Sequence, residues 1–444
     1  MRCLVIWAAM VLAVTAHPTM PDPSDMVFLL DEDDFEDYLD TWLVNEEQSW
    51  VNITLAEQER NAGGCIFRIK GDLGQPQPVY IHKSKLLMPA GNSGQIQVNT
   101  GQQIGFGCTG RYIRHPNITT TTNYATATCV RDNIVSGNGW LQGQTTFDEL
   151  TCSGDVYFEA QATGGLCSGL NIVIRAGYIV DNVFHTWYRS CFNTIRLEVL
   201  YVWYEQTAQH SIHEANVVRP GWLAGSFFPG VNINNVYTQK SQKSVIAEIV
   251  GDEMAKTYIT TRQYLVRGHL SAKVDFPFAT AQRSTFYFIN AAPQWSPFNG
   301  GNWNSLEQYL RKRIAEAGYN TVIYTGTFGV TQLRDDRNRL RDIYLHKTGI
   351  IRQVPVPMYF YKVAYDESRR LGTAFISINN PYYSAAELRA LQFCTDRCRN
   401  NSAFSWLRWQ PDRVDLGYSF CCTIADFRKK ISHIPKWKVN GLLT

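Results

Sequence analysis

Two stretches of the sequence decide the fold: Tyr264-Leu-Val-Arg-Gly-His-Leu-Ser-Ala-Lys273 and Phe288-Ile-Asn-Ala-Ala-Pro-Gln-Trp-Ser-Pro-Phe-Asn-Gly-Gly-Asn-Trp-Asn-Ser-Leu-Glu307. From the end of the second stretch, apolar residues recur at helical spacing: Trp303, Leu306, Leu310 and Ile314. Gly318 follows them and is typical of a residue that ends a helix. We therefore predict a helix over residues 302–318. Glu307 and Arg311 are four residues apart on its other stripe and can face one cleft together.

Strands and helices mix from about residue 155 to the C-terminus. Six apolar segments favour strands: 171–176, 197–204, 284–289, 321–327, 358–365 and 374–378. This mixture predicts an α/β or α+β domain. Residues 51–154 are instead rich in Gly, Thr, Asn and Gln, and short alternating stretches at 80–82 and 95–98 predict a small β-rich module there.

The N-terminus carries a processing signal. Arg2 precedes an apolar run, from Cys3 to Val14, that is too short to span a membrane and leads to a small-residue cleavage site at Ala16. We expect residues 1–16 to be a signal peptide and the protein to be secreted without a membrane anchor. Three N-x-Ser/Thr sequons, which predict surface glycosylation, fit this expectation: Asn52, Asn117 and Asn400.

The net charge of +3 hides an uneven distribution. Residues 1–50 hold one basic residue against eleven acidic ones and carry −10, so residues 51–444 carry +13. Most of the acids crowd between residues 31 and 40. The segment 17–50 is either a solvated, disordered leader or a removable pro-segment that covers a cationic groove, and the sequence leaves both open.

Eleven cysteines occur in the chain. Removal of Cys3 with the signal peptide leaves an even number, which is typical of a disulfide framework in a secreted protein, although the pairing cannot be read from the sequence. Zinc bound by Cys394 and Cys398 is the competing interpretation. A CxxxC without a matching second pair is weak support for it.

The order and spacing of the two stretches resemble the DNA/RNA non-specific endonucleases, the ββα-metal nucleases, whose signature is DRGH followed by an Asn-rich metal segment. The resemblance is clear over residues 197–366. Less specifically, the whole chain is similar to the secreted digestive double-stranded ribonucleases of insects. The resemblance implies an α+β fold, in which a nuclease domain over residues 155–444 has a mixed, mainly antiparallel sheet with flanking helices and follows the β-rich module.

The same resemblance implies a function. We expect a non-specific endonuclease in the gut lumen that uses Mg²⁺, with Mn²⁺ as a possible substitute. Its substrates would be double-stranded RNA and DNA, and its products would be 5′-phosphorylated. Sequence-independent, salt-sensitive binding follows if Lys and Arg address the phosphate backbone.

Residue by residue, His269 matches the general base of the family and Arg267 the arginine two positions before it. Asn299 matches the protein ligand of the metal. Glu307 and Arg311 match the helix pair that orients water at the metal and contacts phosphate.

Three further positions match less specifically. Asn290 and Gln294 correspond to polar residues that brace the site, and Arg219 corresponds, in a looser motif, to a phosphate-binding arginine. Val266 departs from the family because it stands where the signature has Asp. That departure leaves open a rival interpretation, a nucleic-acid-binding protein with impaired catalysis. A second rival is a secreted recognition module in which the motif is incidental.

The residue types suit the chemistry. An imidazole with an ordinary pKa of about 6.5 can accept a proton from water near neutral pH, and one amide ligand leaves Mg²⁺ open positions for phosphate. Each residue also has a plain structural interpretation. The amides can be turn residues, and Glu307 and Arg311 can be an ordinary exposed helix pair. We expect the other histidines to be structural, and we expect a set of aromatic residues to lie in the core, with base stacking as an alternative at the first: Trp295, Trp303, Tyr359 and Tyr361.

Overall fold

The computed structural model describes residues 63–444. The predicted signal peptide, the acidic segment, the Asn52 sequon and the first residues of the predicted module lie outside the described residues. Asn117 and Asn400 are both exposed, as glycosylated sequons require.

The N-terminal module is built from short antiparallel strands, as its alternating sequence predicts. Its central sheet has the order β3-β2-β5-β7-β8-β9, and β1 pairs with β4 beside it. Phe67, Tyr80, Phe106 and Phe147 pack ring against ring in its core. The strands are β1 Gly64–Arg68, β2 Val79–His82, β3 Lys85–Leu86, β4 Gln95–Asn99, β5 Gln103–Gly107, β6 Ile113–Arg114, β7 Tyr124–Arg131, β8 Ile134–Gly137, β9 Gln144–Thr146 and β10 Thr151–Cys152.

The larger part of the chain is organised around one antiparallel sheet with the order β11-β12-β13-β14-β17-β22-β23-β24. Two short hairpins, β18-β19 and β20-β21, lie outside it. The strands are β11 Glu159–Leu166, β12 Ile172–Val180, β13 Val183–Asn193, β14 Glu198–Gln206, β15 Leu265–His269, β16 Ala291–Trp295, β17 Thr321–Phe328, β18 Gln332–Arg334, β19 Leu340–Asp342, β20 Tyr344–Thr348, β21 Ile351–Pro355, β22 Tyr359–Asp366, β23 Leu371–Ile378 and β24 Ser419–Thr423.

Helices cover both faces of this sheet. They are α1 Ile233–Val236, α2 Gln239–Val250, α3 Asp252–Tyr258, α4 Ala279–Arg283, α5 Ser296–Phe298, α6 Asn304–Ala317, α7 Ala385–Leu391 and α8 Ile424–Lys430. No helix among residues 63–444 is long and apolar enough to cross a membrane. The fold is therefore α+β with an antiparallel main sheet and flanking helices, behind a small β-rich module, and this confirms the predicted class.

The two motif stretches form a strand-strand-helix unit. Strand β15 pairs antiparallel with β16, with His269 opposite Ala291, and the chain then runs through α5 and a wide turn at Asn299–Trp303 into α6. The predicted helix is confirmed: α6 ends at Gly318, whose φ of +59° lies in the left-handed region. Trp303 packs on Phe360 of β22, so this unit covers one face of the sheet.

Five of the six predicted strands are confirmed, with shifted ends. The strand predicted at 284–289 is wrong. There the backbone forms an isolated parallel bridge between Tyr287 and Leu223 in place of a continuous ladder, and a 3₁₀ turn spans Phe288–Asn290 before β16 begins. The aromatic side chains that suggested a strand are buried against loop residues such as Trp222.

All ten cysteines of the described chain form disulfides, which confirms the predicted framework. The pairs are Cys65–Cys129, Cys108–Cys152, Cys167–Cys191, Cys394–Cys422 and Cys398–Cys421. The zinc interpretation of Cys394 and Cys398 is wrong, because thiols that are oxidised to disulfides cannot bind the ion as thiolates.

A buried carboxyl group joins the module to the larger domain. Glu214 accepts hydrogen bonds from Gln75 and Gln77 of the module and from the backbone N–H of Ala279. Burial raises the pKa of Glu214 to about 7 despite these donors. The junction is thus polar and complementary, and it fixes the module beside the loop that follows β14.

Candidate active site

His269, the predicted base, lies at the end of β15 in an aromatic pocket. Its ring centre lies 4.6 Å from that of Trp222 and 5.0 Å from that of Phe286, and 8% of the residue is exposed. Thr285 Oγ1 lies 3.4 Å from His269 Nε2. The pocket fixes the plane of the imidazole and leaves a narrow edge for contact with a ligand.

Burial lowers the pKa of His269 well below its ordinary value, and the charges of Arg219 and Lys273 lower it further. The imidazole is therefore neutral at neutral pH, which is the form that accepts a proton. Arg219, predicted from a loose motif, lies near this ring and 5.8 Å from the centre of the Phe286 ring. Lys273, which the sequence analysis did not single out, is a second cation near the base.

Asn290 holds the chain around His269 together. Its Oδ1 accepts hydrogen bonds from the backbone N and Oγ of Ser271, and its Nδ2 donates to the carbonyls of Ser271 and Thr285. Asn290 is fully buried. These contacts fit the predicted bracing function and leave no surface for contact with a substrate.

Gln294 is also fully buried and lies opposite Val266 in the hairpin. A Cβ atom at Gly268 would lie 2.2 Å from Gln294 Oε1, so the glycine of the RGH motif is needed for this close approach. The expectation that Gln294 also contacts substrate does not agree with its burial, and bracing is the function that its position supports. Val266 is buried, with an apolar side chain where the family signature has a carboxylate.

Arg267 is half-buried beside two aromatic rings. Its guanidinium carbon lies 5.6 Å from the ring centre of Tyr237 and 5.8 Å from that of Phe288. Such contacts hold a cation at a defined place while part of it stays accessible. Arg267 can therefore meet a phosphate near the hairpin.

Asn299, the predicted metal ligand, is half-buried at the start of the wide turn that leads into α6. Gly301 bends this turn, with φ −94° and ψ −119°, and a Cβ atom there would lie 2.9 Å from Leu416 Cβ. The turn thus requires a glycine at position 301, directly after Asn299 and Gly300. The Asn-rich stretch is a specific backbone turn and not a generic loop.

Glu307 and Arg311 lie on α6 as predicted, but the alternative of an ordinary exposed pair is wrong. Arg311 Nη1 donates to Asp275 Oδ1 at 3.2 Å, with 4% and 2% of the two side chains exposed. This burial favours a structural ion pair over direct contact between Arg311 and phosphate. Asp275 Oδ2 also accepts from Tyr204 at 2.5 Å.

Glu307 completes this buried cluster. Lys362 Nζ lies 3.8 Å from Glu307 Oε1 and 4.0 Å from Asp275 Oδ2. Burial raises the pKa of Glu307 to about 8, and among the neighbouring charges that of Lys362 opposes the rise most. Below pH 8 the carboxyl therefore tends to keep its proton.

Four further side chains near the candidate site were not predicted from the sequence: Asp275, Lys362, Tyr204 and Thr285. Lys362 did carry a signal, since it is the charged residue inside the otherwise apolar segment Tyr359–Val363. Asp275 and Thr285 lie close to the RGH motif in the chain, but nothing in their spacing distinguishes them from other polar loop residues.

The remaining histidines agree in part with the structural interpretation. Four have hydrogen-bond partners away from the motifs: His82, His115, His210 and His433. His213 differs, because neither ring nitrogen has a hydrogen-bond partner among the described residues although the side chain is buried. Burial lowers the pKa of His213 well below its ordinary value, and the charges of Arg311, Lys70 and Lys273 lower it further.

The aromatic residues are buried as predicted, and the alternative of base stacking at Trp295 is wrong because that side chain is fully buried.

The donor set near α6 fits a hard divalent cation. Asn299 offers a neutral amide oxygen. Glu307 Oε1 is buried and has no hydrogen-bond partner among residues 63–444. Oxygen ligands of this kind are those that Mg²⁺ prefers. A second cluster, of Asp396, Cys398 and Cys421, does not qualify because both of its cysteines are in disulfides.

The chain is similar to several known proteins. A sequence model of the DNA/RNA non-specific endonucleases matches residues 171–427, which include every candidate residue. A salivary endonuclease of Lutzomyia longipalpis is 24% identical over 392 residues, 87% of this chain and 88% of that protein. Salivary protein Tsal2A of Glossina morsitans morsitans is 23% identical over 398 residues, 86% of this chain and 95% of that protein. A crystal structure of the EndoG/EndoGI complex aligns with a TM-score of 0.36 and 17% identity, over 59% of this chain and 89% of that chain.

Proposed function

The chain belongs to the DNA/RNA non-specific endonuclease family and is a nuclease, and from this premise we propose that it is a secreted enzyme that cleaves double-stranded RNA and DNA with Mg²⁺. The observation that carries the proposal is the buried, neutral imidazole of His269 with the cations Arg219 and Lys273 beside it. An unprotonated base next to cations suits attack of water on a phosphodiester. The base can accept the proton of the water, and the cations can bind the negatively charged phosphate.

In the proposed mechanism His269 accepts the proton of the attacking water. Arg219 and Arg267 bind the non-bridging oxygens of the scissile phosphate and favour the additional charge of the transition state. When bound at Asn299, the divalent cation supplies charge neutralisation on the phosphate and on the leaving oxygen. The bond to the 3′ oxygen breaks, so the products carry 5′ phosphates.

Asn290 and Gln294 serve this reaction indirectly. Asn290 holds Ser271, two residues after His269, and Thr285, whose Oγ1 lies 3.4 Å from His269 Nε2, and so keeps the imidazole in place. Gln294 packs under Gly268. Above about pH 8, where its carboxyl is ionised, Glu307 would accept a hydrogen bond from the attacking water and orient it.

The substrate range follows from the nucleophile. Because water attacks and no 2′-hydroxyl is needed, the same groups can cleave RNA and DNA. A body of net charge +13 over residues 51–444 favours sequence-independent contact with phosphates. Double-stranded RNA as the natural substrate rests on the similarity to insect digestive ribonucleases.

Secretion rests on independent features. The N-terminal signal, the exposed sequons and the five disulfides suit an oxidising extracellular space. The relatives from Lutzomyia and Glossina are named as salivary proteins. The gut lumen is the site of action that we propose here.

A digestion panel tests the proposal. Purified protein is incubated with duplex RNA, single-stranded RNA and plasmid DNA, in Mg²⁺, Mn²⁺ or EDTA, and the ends of the fragments are mapped. We expect fragments with 5′ phosphates in either metal and none in EDTA. The rival function, nucleic-acid binding with catalysis impaired by Val266, predicts retarded complexes and no fragments in any arm.

A further inference from the structure

The main sheet has a second face, opposite the one that α6 covers. Lys362 and Tyr204 point toward α6 and the loop that holds Asp275, so the residues that alternate with them along β22 and β14 point to the second face. α8 covers the second face at β22, where the ring centre of Phe427 lies 5.0 Å from that of Tyr361. Over β12, β13 and β14 several of its side chains remain accessible to solvent. The described chain therefore covers the second face only in part.

Cross-strand pairing places four accessible side chains in one row on the second face. Arg175 of β12 lies opposite Arg189 of β13, and Arg189 lies opposite Trp203 of β14. Trp203 in turn lies opposite Tyr324 of β17. Residues that are directly opposite point to the same face, and neighbouring strands are about 4.8 Å apart, so the row is about 14 Å long. Arg189 is exposed, and the other three side chains are partly exposed.

The row continues as a strip of aromatic rings. The rings of Trp203 and Tyr324 are nearly parallel, at 9°, with their centres 6.3 Å apart. Trp437, which is also partly exposed, lies with its ring centre 4.8 Å from that of Tyr324. We call Trp203, Tyr324 and Trp437 the aromatic strip. Accessible aromatic rings on a sheet are a surface on which unpaired bases stack, and sheets that bind RNA in this way stack two or three bases.

The two arginines beside the aromatic strip have no carboxylate partner. Arg175 Nη2 donates to Gln161 Oε1 at 3.0 Å, and its guanidinium carbon lies 4.1 Å from the ring centre of Phe184. Arg175 Nε is buried without a hydrogen-bond partner among residues 63–444. The guanidinium group of Arg189 forms no hydrogen bond or ion pair within the same residues. Like charges directly opposite each other destabilise a sheet, so a bound anion would offset their repulsion.

The charge around the aromatic strip fits an anionic ligand. Arg175 and Arg189 lie beyond Trp203, and the exposed Lys436 and Lys438 flank Trp437 in sequence. Two acids lie on the same face of the sheet, on β11 and β14, and neither forms an ion pair with the two arginines: Glu159 and Glu205. Four cations against two acids favour phosphate.

We propose that the second face binds single-stranded nucleic acid. Unpaired bases stack on the aromatic strip, and the phosphates next to them contact Arg175 and Arg189. A blunt duplex does not fit this surface, because its bases stack on each other and expose no ring faces along its length. The strand-strand-helix unit with His269 lies on the other side of the sheet. The site is therefore separate from the candidate active site, and its binding function goes beyond the proposed cleavage.

Fluorescence anisotropy in EDTA tests the proposal with a labelled oligothymidylate of about 12 nucleotides. We expect wild type to bind it, and excess blunt duplex RNA, which occupies the active-site cleft, to leave it bound. Trp203→Leu should lower the affinity by about fivefold or more, because an aliphatic side chain cannot stack on a base. Arg189→Gln should reduce the slope of log affinity against log salt by about 0.7. Tyr112→Leu and Arg131→Gln, at exposed positions of the module, are the matched controls and should bind as wild type does.

Trp203→Leu and Arg189→Gln should both cleave blunt duplex RNA in Mg²⁺ at the wild-type rate, which excludes a general folding defect. If Trp203→Leu does not fold, Arg189→Gln decides, because its side chain is exposed and unpaired.

Three results would overturn the proposal. The duplex could displace all of the oligonucleotide, or both variants could bind it as wild type does. Alternatively, sedimentation velocity could show a wild-type dimer that dissociates in Arg189→Gln while no oligonucleotide binds, and the second face would then be an interface between two copies. A wild type that cleaves no duplex would refute the proposed function, while the oligonucleotide would still report on the second face.

Discussion

Arg311 on α6 and Asp275, six residues beyond His269, form an ion pair of 3.2 Å that is almost completely buried. The pair ties the helix that carries Glu307 to the loop that follows the predicted base. The two motif stretches are thus joined through this ion pair as well as through the backbone.

The buried pair should be sensitive to loss of one partner. Asp275→Asn leaves the buried Arg311 without its carboxylate, and we expect it to lower the free energy of unfolding by about 3 kcal/mol. Arg311→Met should lower it less, because Asp275 keeps the hydrogen bond from Tyr204 and the charge of Lys362 at 4.0 Å. Urea denaturation measures this. The matched control is the exposed pair of Lys256 and Glu253, in which Lys256→Met should leave the unfolding midpoint unchanged. If Asp275→Asn is as stable as wild type, the pair does not hold α6 to the loop.

His269→Ala should lower the rate of phosphodiester cleavage by about 100-fold or more, because the imidazole is the proposed acceptor of the proton from the attacking water. Binding of duplex RNA, measured with the uncut complex in EDTA, should persist. His82→Ala is the control, since His82 lies on the module with one contact to a backbone carbonyl. Equal rates for the two variants would remove His269 from the mechanism.

Gly301 should be required for the Asn299 turn. In Gly301→Ala the new methyl group collides with Leu416, so the turn must shift, and we expect cleavage to fall by about tenfold or more with a weaker response to Mg²⁺. Gly165→Ala is the control, because that exposed hairpin position meets only the Thr163 hydroxyl at 3.3 Å. The rate as a function of Mg²⁺ concentration is the measurement. Identical Mg²⁺ curves for both variants would argue against a metal site at this turn.

Glu214 should make stability depend on pH. Its pKa is about 7 in the folded protein against an ordinary 4.5, so the folded state holds the proton more tightly than the unfolded state does. The resulting contribution to stability is complete below the ordinary value and is lost as the pH rises through about 7. We expect the unfolding free energy of wild type to fall between pH 5 and 8 and that of Glu214→Gln to fall less. Parallel curves would mean that the group titrates alike in both states.

Salt should weaken nucleic-acid binding, and Arg219 should contribute to that dependence. We expect Arg219→Gln to reduce the slope of log affinity against log salt by about one, uniformly for RNA and DNA of different sequence. Arg68→Gln is a suitable control, since Arg68 pairs with Asp72 on the surface of the module. Fluorescence anisotropy in EDTA gives both slopes. An unchanged slope for Arg219→Gln would show that Arg219 does not contact the phosphate backbone of the nucleic acid.

Local sequence patterns predict the parts of this fold that depend on one segment. Helical periodicity and Gly318 define α6, and apolar runs locate the long strands of the main sheet. The strand predicted at 284–289 is wrong because the segment makes an isolated bridge with Leu223 and its aromatic residues pack against Trp222, so no continuous ladder forms. The apolar spacing of this segment reflects its burial, and it does not distinguish a buried loop from a buried strand.

The candidate site likewise has some features that the sequence predicts and others that only the tertiary structure shows. The spacing of His269, Asn299 and Glu307 is visible in the chain and resembles one family. The contacts of Lys362 with Glu307 and Tyr204 join strands and a helix that are distant in sequence, so only the tertiary structure brings them together. Likewise, no pattern in the sequence distinguishes a buried Arg311 from a solvated one.

The positions of the disulfides have a consequence for where oxidation matters. Every candidate residue lies between Cys191 and Cys394, a stretch of sequence that contains no cysteine. The crosslinks therefore brace the N-terminal module, the turn between β11 and β12 against β13, and the C-terminal segment, while packing and polar contacts shape the candidate site. Reducing agents should therefore destabilise the disulfide-bonded segments first. The packing and polar contacts of the cysteine-free stretch that holds the candidate residues do not depend on the oxidation state of the cysteines.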